Sequence, residues 1–162
     1  MINKLITDLE LSEFEKKYKI LLTSNVYLID KVIAYLLKKK GKFLRPALAI
    51  NAAKCLDGEV LEKNYLVASL VEMIHLATLI HDDIVDESNL RRGWPTIGRV
   101  WKNKISLLIG DYIFSRSLST IVKLEDLESI KILSKTSDAL SKVQLTSLKE
   151  EKVFEKDAEL KI

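Results

Sequence analysis

Apolar residues recur along most of the chain every three to four positions, which is the period of an α-helix. No stretch alternates apolar and polar residues convincingly as a half-buried strand would. The pattern predicts helices over residues 2–20, 25–39, from Pro46 to about 57, 62–87, 97–121 and 125–149, with a candidate break near Lys102 and Asn103. We therefore expect an all-α fold.

Composition is consistent with long helices in a single domain over residues 1–162. Apolar residues make up 48% of the chain and charged residues 30%, with 5 glycines and 2 prolines. Few helix breakers and abundant Leu, Ile, Lys and Glu favour helices over strands. Residues 149–162 are densely charged, so we expect a frayed or solvated tail there.

Charge and apolar patterning argue against a nucleic-acid partner and a transmembrane segment. The net charge is only +3, and the lysines are scattered among nearly as many acids. The longest apolar stretch, 65–80, is interrupted by Glu72 and His75, as in a buried core helix. The N-terminus lacks the apolar block of a signal peptide. The single cysteine, Cys55, lies among apolar neighbours and is expected in the core. We expect a soluble, cytoplasmic protein.

Four polar side chains of the predicted helix over residues 62–87 fall along one stripe, because each residue turns the helix by about 100°. They are His75, Thr78, Asp82 and Asp86. Asp83 projects to the side of this stripe. Two carboxylates one turn apart can share a divalent cation with a diphosphate, since Mg²⁺ commonly takes one or two carboxylates, waters and phosphate oxygens. Asp82 and Asp86 are therefore candidate Mg²⁺ ligands.

Two arginines follow this acidic cluster in a loop that also holds Gly93 and Pro95. Guanidinium groups bind phosphate oxygens in pairs, and Arg91 and Arg92 keep their charge at any physiological pH. Carboxylates, a metal ion and arginines together neutralise a phosphate leaving group. The alternative is a solvated helix end whose acids pair with nearby bases.

A second basic segment precedes Pro46. Gly41 opens a loop, and Pro46 is expected to push Arg45 out of helical geometry. Lys42 and Arg45 would then flank a helix N-terminus, which suits anions. Surface solubility is the alternative explanation of this Lys-x-x-Arg pair. Two diphosphate sites facing one apolar cavity would imply a reaction that joins two lipid-like diphosphates.

These motifs resemble the trans-polyprenyl diphosphate synthase family. Asp-Asp-x-x-Asp at 82–86, with the two arginines beyond it, is similar to the first aspartate-rich motif of that family, and Gly-Lys-x-x-Arg-Pro at 41–46 to its upstream motif. Glu72-x-x-His75 also matches. Class I terpene cyclases carry a similar aspartate motif, but the arginines and the upstream motif favour the prenyltransferases. The resemblance spans roughly residues 20–147 and implies a helical bundle of the isoprenoid synthase type, of which this chain would be the N-terminal half.

The resemblance also implies a role for each motif residue. Asp82 and Asp86 would hold Mg²⁺ against the diphosphate of an allylic substrate, with support from the catalytic-site residue Asp83, and Arg91 would bind that diphosphate. The isopentenyl diphosphate would be bound by Lys42, Arg45, His75 and Arg92. In the family, bulky residues four and five positions before the first aspartate stop the growing chain early. Those positions are Thr78 and Ala77 here, so we expect a medium- or long-chain product.

The sequence also departs from the family pattern. The upstream motif usually carries a further glycine and arginine where Lys40 and Phe43 stand. No second Asp-Asp-x-x-Asp occurs after residue 86. Three interpretations stay open: a truncated or degenerate prenyl synthase with little activity alone; one piece of a split synthase whose partner chain supplies the second aspartate motif; and a helical interaction protein that retains the first motif. We expect either a homo-oligomer or a complex with such a partner chain.

Overall fold

The computed structural model describes the backbone of residues 6–39 and 41–159, and their side chains except at 144 and 147–159. The helices and strands of this part follow one another in a fixed order. They are α1 (Asp8–Leu22), α2 (Tyr27–Lys38), α3 (Leu44–Asp57), α4 (Glu62–Val85), β1 (Leu90–Arg91), β2 (Trp94–Pro95), α5 (Ile97–Trp101), α6 (Asn103–Val122) and α7 (Leu127–Glu159). The all-α prediction is confirmed, and the candidate break near Lys102 separates α5 from α6.

Local sequence signals explain where several helices begin and end. Thr7 caps α1: its hydroxyl accepts from the Glu10 N–H at 3.3 Å, and the Glu10 carboxylate accepts from the Thr7 N–H at 2.7 Å. At the start of α4, the Asn64 side chain accepts from the Leu61 N–H at 2.7 Å, as the Glu10 carboxylate accepts from the Thr7 N–H at the start of α1. Gly58 ends α3 in the left-handed conformation, at φ 76°.

The helix α4 lies at the centre of the first compact unit, where it packs against α1, α3 and α6. Its buried positions include Ala68, Met73, Ala77 and Ile80, which join one core cluster with side chains of α1, α2, α3 and α6. In the described part of the chain, α4 and α6 are long and apolar enough to cross a membrane by length and composition alone. Core helices of soluble proteins pass the same test, and α4 and α6 pack against each other in the first unit.

A short hairpin interrupts the helices between α4 and α5, where the sequence predicted only a loop. Leu90 pairs with Pro95 and Arg91 pairs with Trp94. The turn residues Arg92 and Gly93 have φ angles of 51° and 80°, and two positive φ values are characteristic of a tight two-residue hairpin turn. Strands of two residues are too short to show an alternating pattern, so periodicity did not predict them.

Two expectations about single residues were wrong. Arg45 is helical, because α3 begins at Leu44. Pro46 lies in the first turn of α3, where its missing N–H breaks no helical hydrogen bond, because the Ala47 N–H is the one that donates to the Phe43 carbonyl, at 3.0 Å. Phe43 itself has φ 43°, and its ring lies edge-on to Phe14 with ring centroids 5.2 Å apart. Cys55 is exposed rather than part of the core. It lies on the outer face of α3, whose buried residues are Pro46, Ala47, Ile50 and Ala53.

Residues 1–124 form one compact unit and residues 125–162 form a second, which contains α7. The helix α7 continues to Glu159. A single domain over residues 1–162 and a frayed tail at 149–162 stay predictions. All residues of the candidate site described next belong to the first unit.

Candidate active site

A cleft with a volume of about 820 Å³ opens between the end of α2, the α2–α3 loop, α4 and the hairpin. It brings together basic side chains from four separate segments. They are Lys38 and Lys39 at and just after the end of α2, Lys42 and Arg45 before and at the start of α3, His75 on α4, and Arg91 and Arg92 on the hairpin. Its apolar lining includes Leu36, Leu76, Leu79, Ile80 and Ile97. The cleft therefore combines cationic groups with an apolar wall, as an amphiphilic anion requires.

One face of α4 supplies the floor of this cleft. Its lining residues recur at helical spacing, as Glu72, His75, Leu76, Leu79, Ile80 and Asp83. Of the described residues, the lining includes Asp83 but neither Asp82 nor Asp86. The four residues predicted to bind isopentenyl diphosphate thus meet in one cleft, while the two predicted metal ligands lie beside it on α4 and at its end.

Two titratable groups on α4 feel both burial and the arginines of the cleft. Burial raises the pKa of Glu72, although the nearby charges of Arg45 and Arg92 act in the opposite direction. Burial lowers the pKa of His75, and the positive charges of Arg45, Arg91 and Arg92 lower it further. His75 is therefore neutral near pH 7, in which form it still has one N–H to donate to an anion.

Arg91 is tied to α4 by a direct ion pair. Its Nε donates to Asp83 Oδ1 at 2.8 Å, and the Asp83 side chain is only 11% exposed. Burial raises the pKa of Asp83, while the hydrogen bond and charge of Arg91 lower it and the charges of Asp82 and Asp86 raise it. Asp83 thus anchors an arginine that sequence analysis assigned to the allylic diphosphate.

Asp82 and Asp86 lie one helical turn apart at the C-terminal end of α4. The Asp86 N–H donates to the Asp82 carbonyl at 2.8 Å, and the Asp86 side chain is exposed. Among the described residues, no group of three His, Cys, Asp or Glu side chains lies together as a metal site. Mg²⁺ does not require such a group, because water and phosphate oxygens can complete its shell around one or two carboxylates. The carboxylate chemistry of Asp82 and Asp86 therefore fits a magnesium–diphosphate complex.

The two predicted chain-length residues have different surroundings. Ala77 is 1% exposed and belongs to the core cluster. Thr78 is half-buried, and its hydroxyl donates to the His75 carbonyl at 2.8 Å. Neither lines the cleft in the described part of the chain, and their influence on product length stays a prediction. Lys40, where the family motif usually has glycine, lies outside the described residues.

Two groups of contacts near the site were missed by sequence analysis. Tyr35 on α2 and Lys39, the residue that follows α2, both donate to the Pro95 carbonyl of the hairpin, at 2.8 Å and 2.6 Å. Gly110 on α6 lies against the imidazole of His81, which immediately precedes Asp82. Both depend on residues far apart in the chain. For the second contact, the glycine of Ile-Gly-Asp-Tyr at 109–112 was a local signal, since a glycine within a helix costs stability and can be there for a packing reason.

Comparison with known proteins gives matches to one family. Residues 26–161 match the family model of polyprenyl synthetase. The chain is 35% identical over 127 residues to octaprenyl diphosphate synthase of Escherichia coli (strain K12), covering 78% of this chain and 39% of that protein. It is 34% identical over 127 residues to heptaprenyl diphosphate synthase component 2 of Geobacillus stearothermophilus, with the same coverage, 78% and 39%.

A solved structure shares the same fold. The chain aligns with the crystal structure of polyprenyl synthase from Caulobacter crescentus CB15, complexed with calcium and isoprenyl diphosphate, with a TM-score of 0.75 and 31% identity. The alignment covers 83% of this chain and 42% of that one. The chain therefore spans about two fifths of the length of these curated relatives.

Proposed function

The chain belongs to the polyprenyl synthetase family, and from that membership we propose that it is a prenyltransferase or the N-terminal portion of one. The reaction would condense isopentenyl diphosphate with an allylic diphosphate to give a medium- or long-chain polyprenyl diphosphate. The observation that carries the proposal is the convergence of Lys42, Arg45, His75 and Arg92 on one cleft with an apolar wall.

In this proposal the cleft holds isopentenyl diphosphate. Arg45 and Arg92 present planar guanidinium groups, each able to donate two parallel hydrogen bonds to diphosphate oxygens. Lys42 adds a compact positive charge, and the neutral imidazole of His75 donates one N–H. The apolar residues Leu76 and Leu79 on the same face of α4 would contact the five-carbon chain.

The allylic diphosphate would lie near the C-terminal end of α4. Asp82 and Asp86 would hold Mg²⁺ there, and the metal would supply Lewis-acid stabilisation of the diphosphate that leaves. Arg91, held in place by Asp83, would add positive charge to the same group. The allylic C–O bond breaks, the double bond of isopentenyl diphosphate attacks the freed carbon, and loss of a proton leaves a product one five-carbon unit longer.

The small residues Ala77 and Thr78 support a medium- or long-chain product within this proposal. The names of the octaprenyl and heptaprenyl relatives are consistent with it. A phenylalanine at position 78 should shorten the products, because a bulky ring four positions before Asp82 would narrow the path of the growing chain. Unchanged product length in Thr78→Phe would contradict this assignment.

A chain-elongation assay tests the proposal directly. The purified chain would be incubated with Mg²⁺, labelled isopentenyl diphosphate and an allylic diphosphate, beside Asp86→Asn and the control Asp57→Asn. Asp57 is also an exposed aspartate at a helix end, but on α3 and outside the cleft. We expect labelled longer products, and about a hundredfold less in Asp86→Asn, since losing one metal–carboxylate contact costs several kcal/mol in the transition state.

A second candidate is a non-autonomous subunit of a split synthase. The relative from Geobacillus stearothermophilus is named as a component, and α6 carries apolar side chains that are about half exposed or more. They are Leu107, Leu108, Leu118 and Val122. Exposed apolar faces favour association, with a second copy or with a partner chain that supplies the second aspartate motif. Activity that appears only when a separate chain is added would favour this candidate over autonomous catalysis.

A helical interaction protein that retains the first motif is the third candidate. Such a protein should show no Mg²⁺-dependent affinity for diphosphates, which distinguishes it from an autonomous synthase and from a subunit of a split synthase. Inorganic diphosphate is a sufficient probe for this distinction.

A further inference from the structure

The hairpin that carries Arg91 and Arg92 is too small to hold its own shape. Each strand contains two residues, and even longer isolated hairpins are only marginally stable in water. The orientation of the two arginines must therefore come from contacts between the hairpin and the helices. The Arg91–Asp83 ion pair is one such contact, at the first strand.

The second strand is held through a single backbone atom by one residue of α2 and by the residue that follows this helix. The Pro95 carbonyl accepts from the Tyr35 hydroxyl at 2.8 Å and from the Lys39 ammonium at 2.6 Å. The Lys39 ammonium also lies 3.9 Å from the centre of the Tyr35 ring and 5.6 Å from that of Trp94. Trp101 braces Tyr35 edge-on, with ring centroids 5.0 Å apart. We call Tyr35, Lys39 and the Pro95 carbonyl the α2 clamp.

Because the two strands of the hairpin are paired, contacts that fix the second strand also fix the strand and turn that carry the arginines. Pro95 pairs with Leu90, and its neighbour Trp94 pairs with Arg91, so fixing Pro95 fixes the ladder on which Arg91 lies. Arg92 follows in the turn. Lys39 itself lines the cleft, three positions before Lys42, and the clamp therefore couples the hairpin to the segment that carries the other cations.

We propose that Tyr35 and Lys39 are positioning residues, which hold Arg92 over the cleft in register with Lys42 and Arg45. The proposal rests on the proposed function in one respect, namely that the cleft binds a diphosphate. The positioning itself is a property of the free protein. It can be measured without any ligand.

Tyr35→Phe is the most informative variant, because it removes one hydroxyl and keeps the ring, its contact with Trp101 and every charge. Lys39→Met removes the ammonium, and Lys39→Arg restores a donor and a charge. Helix α2 also offers matched controls: Tyr27 and Lys31 form an exposed tyrosine–lysine pair, with 5.8 Å between the ammonium and the ring centroid. Tyr27→Phe and Lys31→Met make the same chemical changes outside the cleft.

Hydrogen exchange of the free protein, followed by mass spectrometry, tests the clamp alone. We expect exchange in the peptide covering residues 90–97 to be roughly three- to tenfold faster in Tyr35→Phe, the factor that one neutral hydrogen bond supplies. It should be unchanged in Tyr27→Phe. Equal exchange in wild type and Tyr35→Phe would overturn the proposal, whether or not the protein binds a diphosphate.

Calorimetric titration with isopentenyl diphosphate tests the consequence for binding. We expect Tyr35→Phe to weaken affinity roughly three- to tenfold, Lys39→Met to weaken it more, and Lys39→Arg to recover most of the loss, with the two controls as wild type. The melting temperatures, measured in parallel, should differ little. Faster exchange with wild-type affinity would show that the clamp does not position the ligand-binding arginines. If wild type itself does not bind, the proposed function fails, and the exchange result alone decides the clamp.

Discussion

Gly110 on α6 packs against the imidazole of His81 on α4, and its replacement by alanine tests how closely these helices fit beside the aspartate motif. A Cβ atom at position 110 would lie 2.3 Å from His81 Nε2 and 2.6 Å from Cδ2. Both distances are far shorter than a non-bonded contact permits. His81 Nε2 is buried without a hydrogen-bond partner among the described residues, although Asp111 Oδ1 lies 3.3 Å away. The ring must therefore move, or the helices must separate.

Two opposing effects determine how much Gly110→Ala changes the free energy of unfolding. Overpacking at a close contact typically costs about 1–3 kcal/mol. Replacing glycine by alanine within a helix returns about 1 kcal/mol. We therefore expect Gly110→Ala to lower the free energy of unfolding by about 0–2 kcal/mol. In the His81→Ala background the steric conflict is absent, and Gly110→Ala should instead stabilise the protein by about 1 kcal/mol.

Urea denaturation of all four proteins in this cycle, followed by far-ultraviolet circular dichroism, provides the measurement. The predicted difference between the two backgrounds is about 1–3 kcal/mol, which a double-mutant cycle resolves. In thermal denaturation, each kcal/mol corresponds to about 2–4 °C for a chain of this size. An equal stabilisation by Gly110→Ala in both backgrounds would refute the close contact between His81 and Gly110.

Three further predictions concern the titratable groups of the cleft. Burial raises the pKa of Glu72 above 4.5, so the contribution of this group to stability is fully present below that pH and is lost as the pH rises through the raised pKa; Glu72→Gln should flatten this fall in urea titrations across pH. Burial lowers the pKa of His75 below 6.5, so its contribution is present above that pH and lost on acidification, and His75→Gln should remove this loss. Asp83→Asn should lower the free energy of unfolding by about 1–3 kcal/mol, because Arg91 loses its carboxylate partner, whereas Asp57→Asn should not. Unaltered pH profiles, or equal effects of the two asparagine variants, would contradict these assignments.

The helices were predictable because their signals are local. Apolar periodicity locates α2 and α4, glycine and proline mark the segment before α3, and the loop glycine at 93 lies in the turn that follows the acidic cluster. The grouping of cationic side chains at one cleft was predictable for a related reason, while the roles of these residues stay predictions. Carboxylates can bind a metal ion, and arginines and lysines can bind phosphate oxygens, so their spacing in the sequence indicates a diphosphate site before their positions in space are known.

The remaining features depend on contacts between distant residues. Arg45 is helical although a proline follows it, and the residue before α3, Phe43, contacts the rings of Phe14 and Tyr18 on α1. Asp83 belongs to the cleft because Arg91 reaches back to it from the hairpin. The contact from Lys39 to Pro95 joins residues more than fifty positions apart, and no local pattern indicates such a pair. Cys55 is exposed because α3 packs through a different face.

The central claim is that the cleft binds a diphosphate through its converging cations. Titration of isopentenyl diphosphate into wild type, Arg45→Met and Arg99→Met tests it most directly, since Arg99 is an exposed arginine outside the cleft. We predict saturable binding to wild type, binding at least about tenfold weaker in Arg45→Met, as expected for a lost charged hydrogen bond, and no change in Arg99→Met. No saturable binding to wild type, or equal losses in the two variants, would contradict the claim.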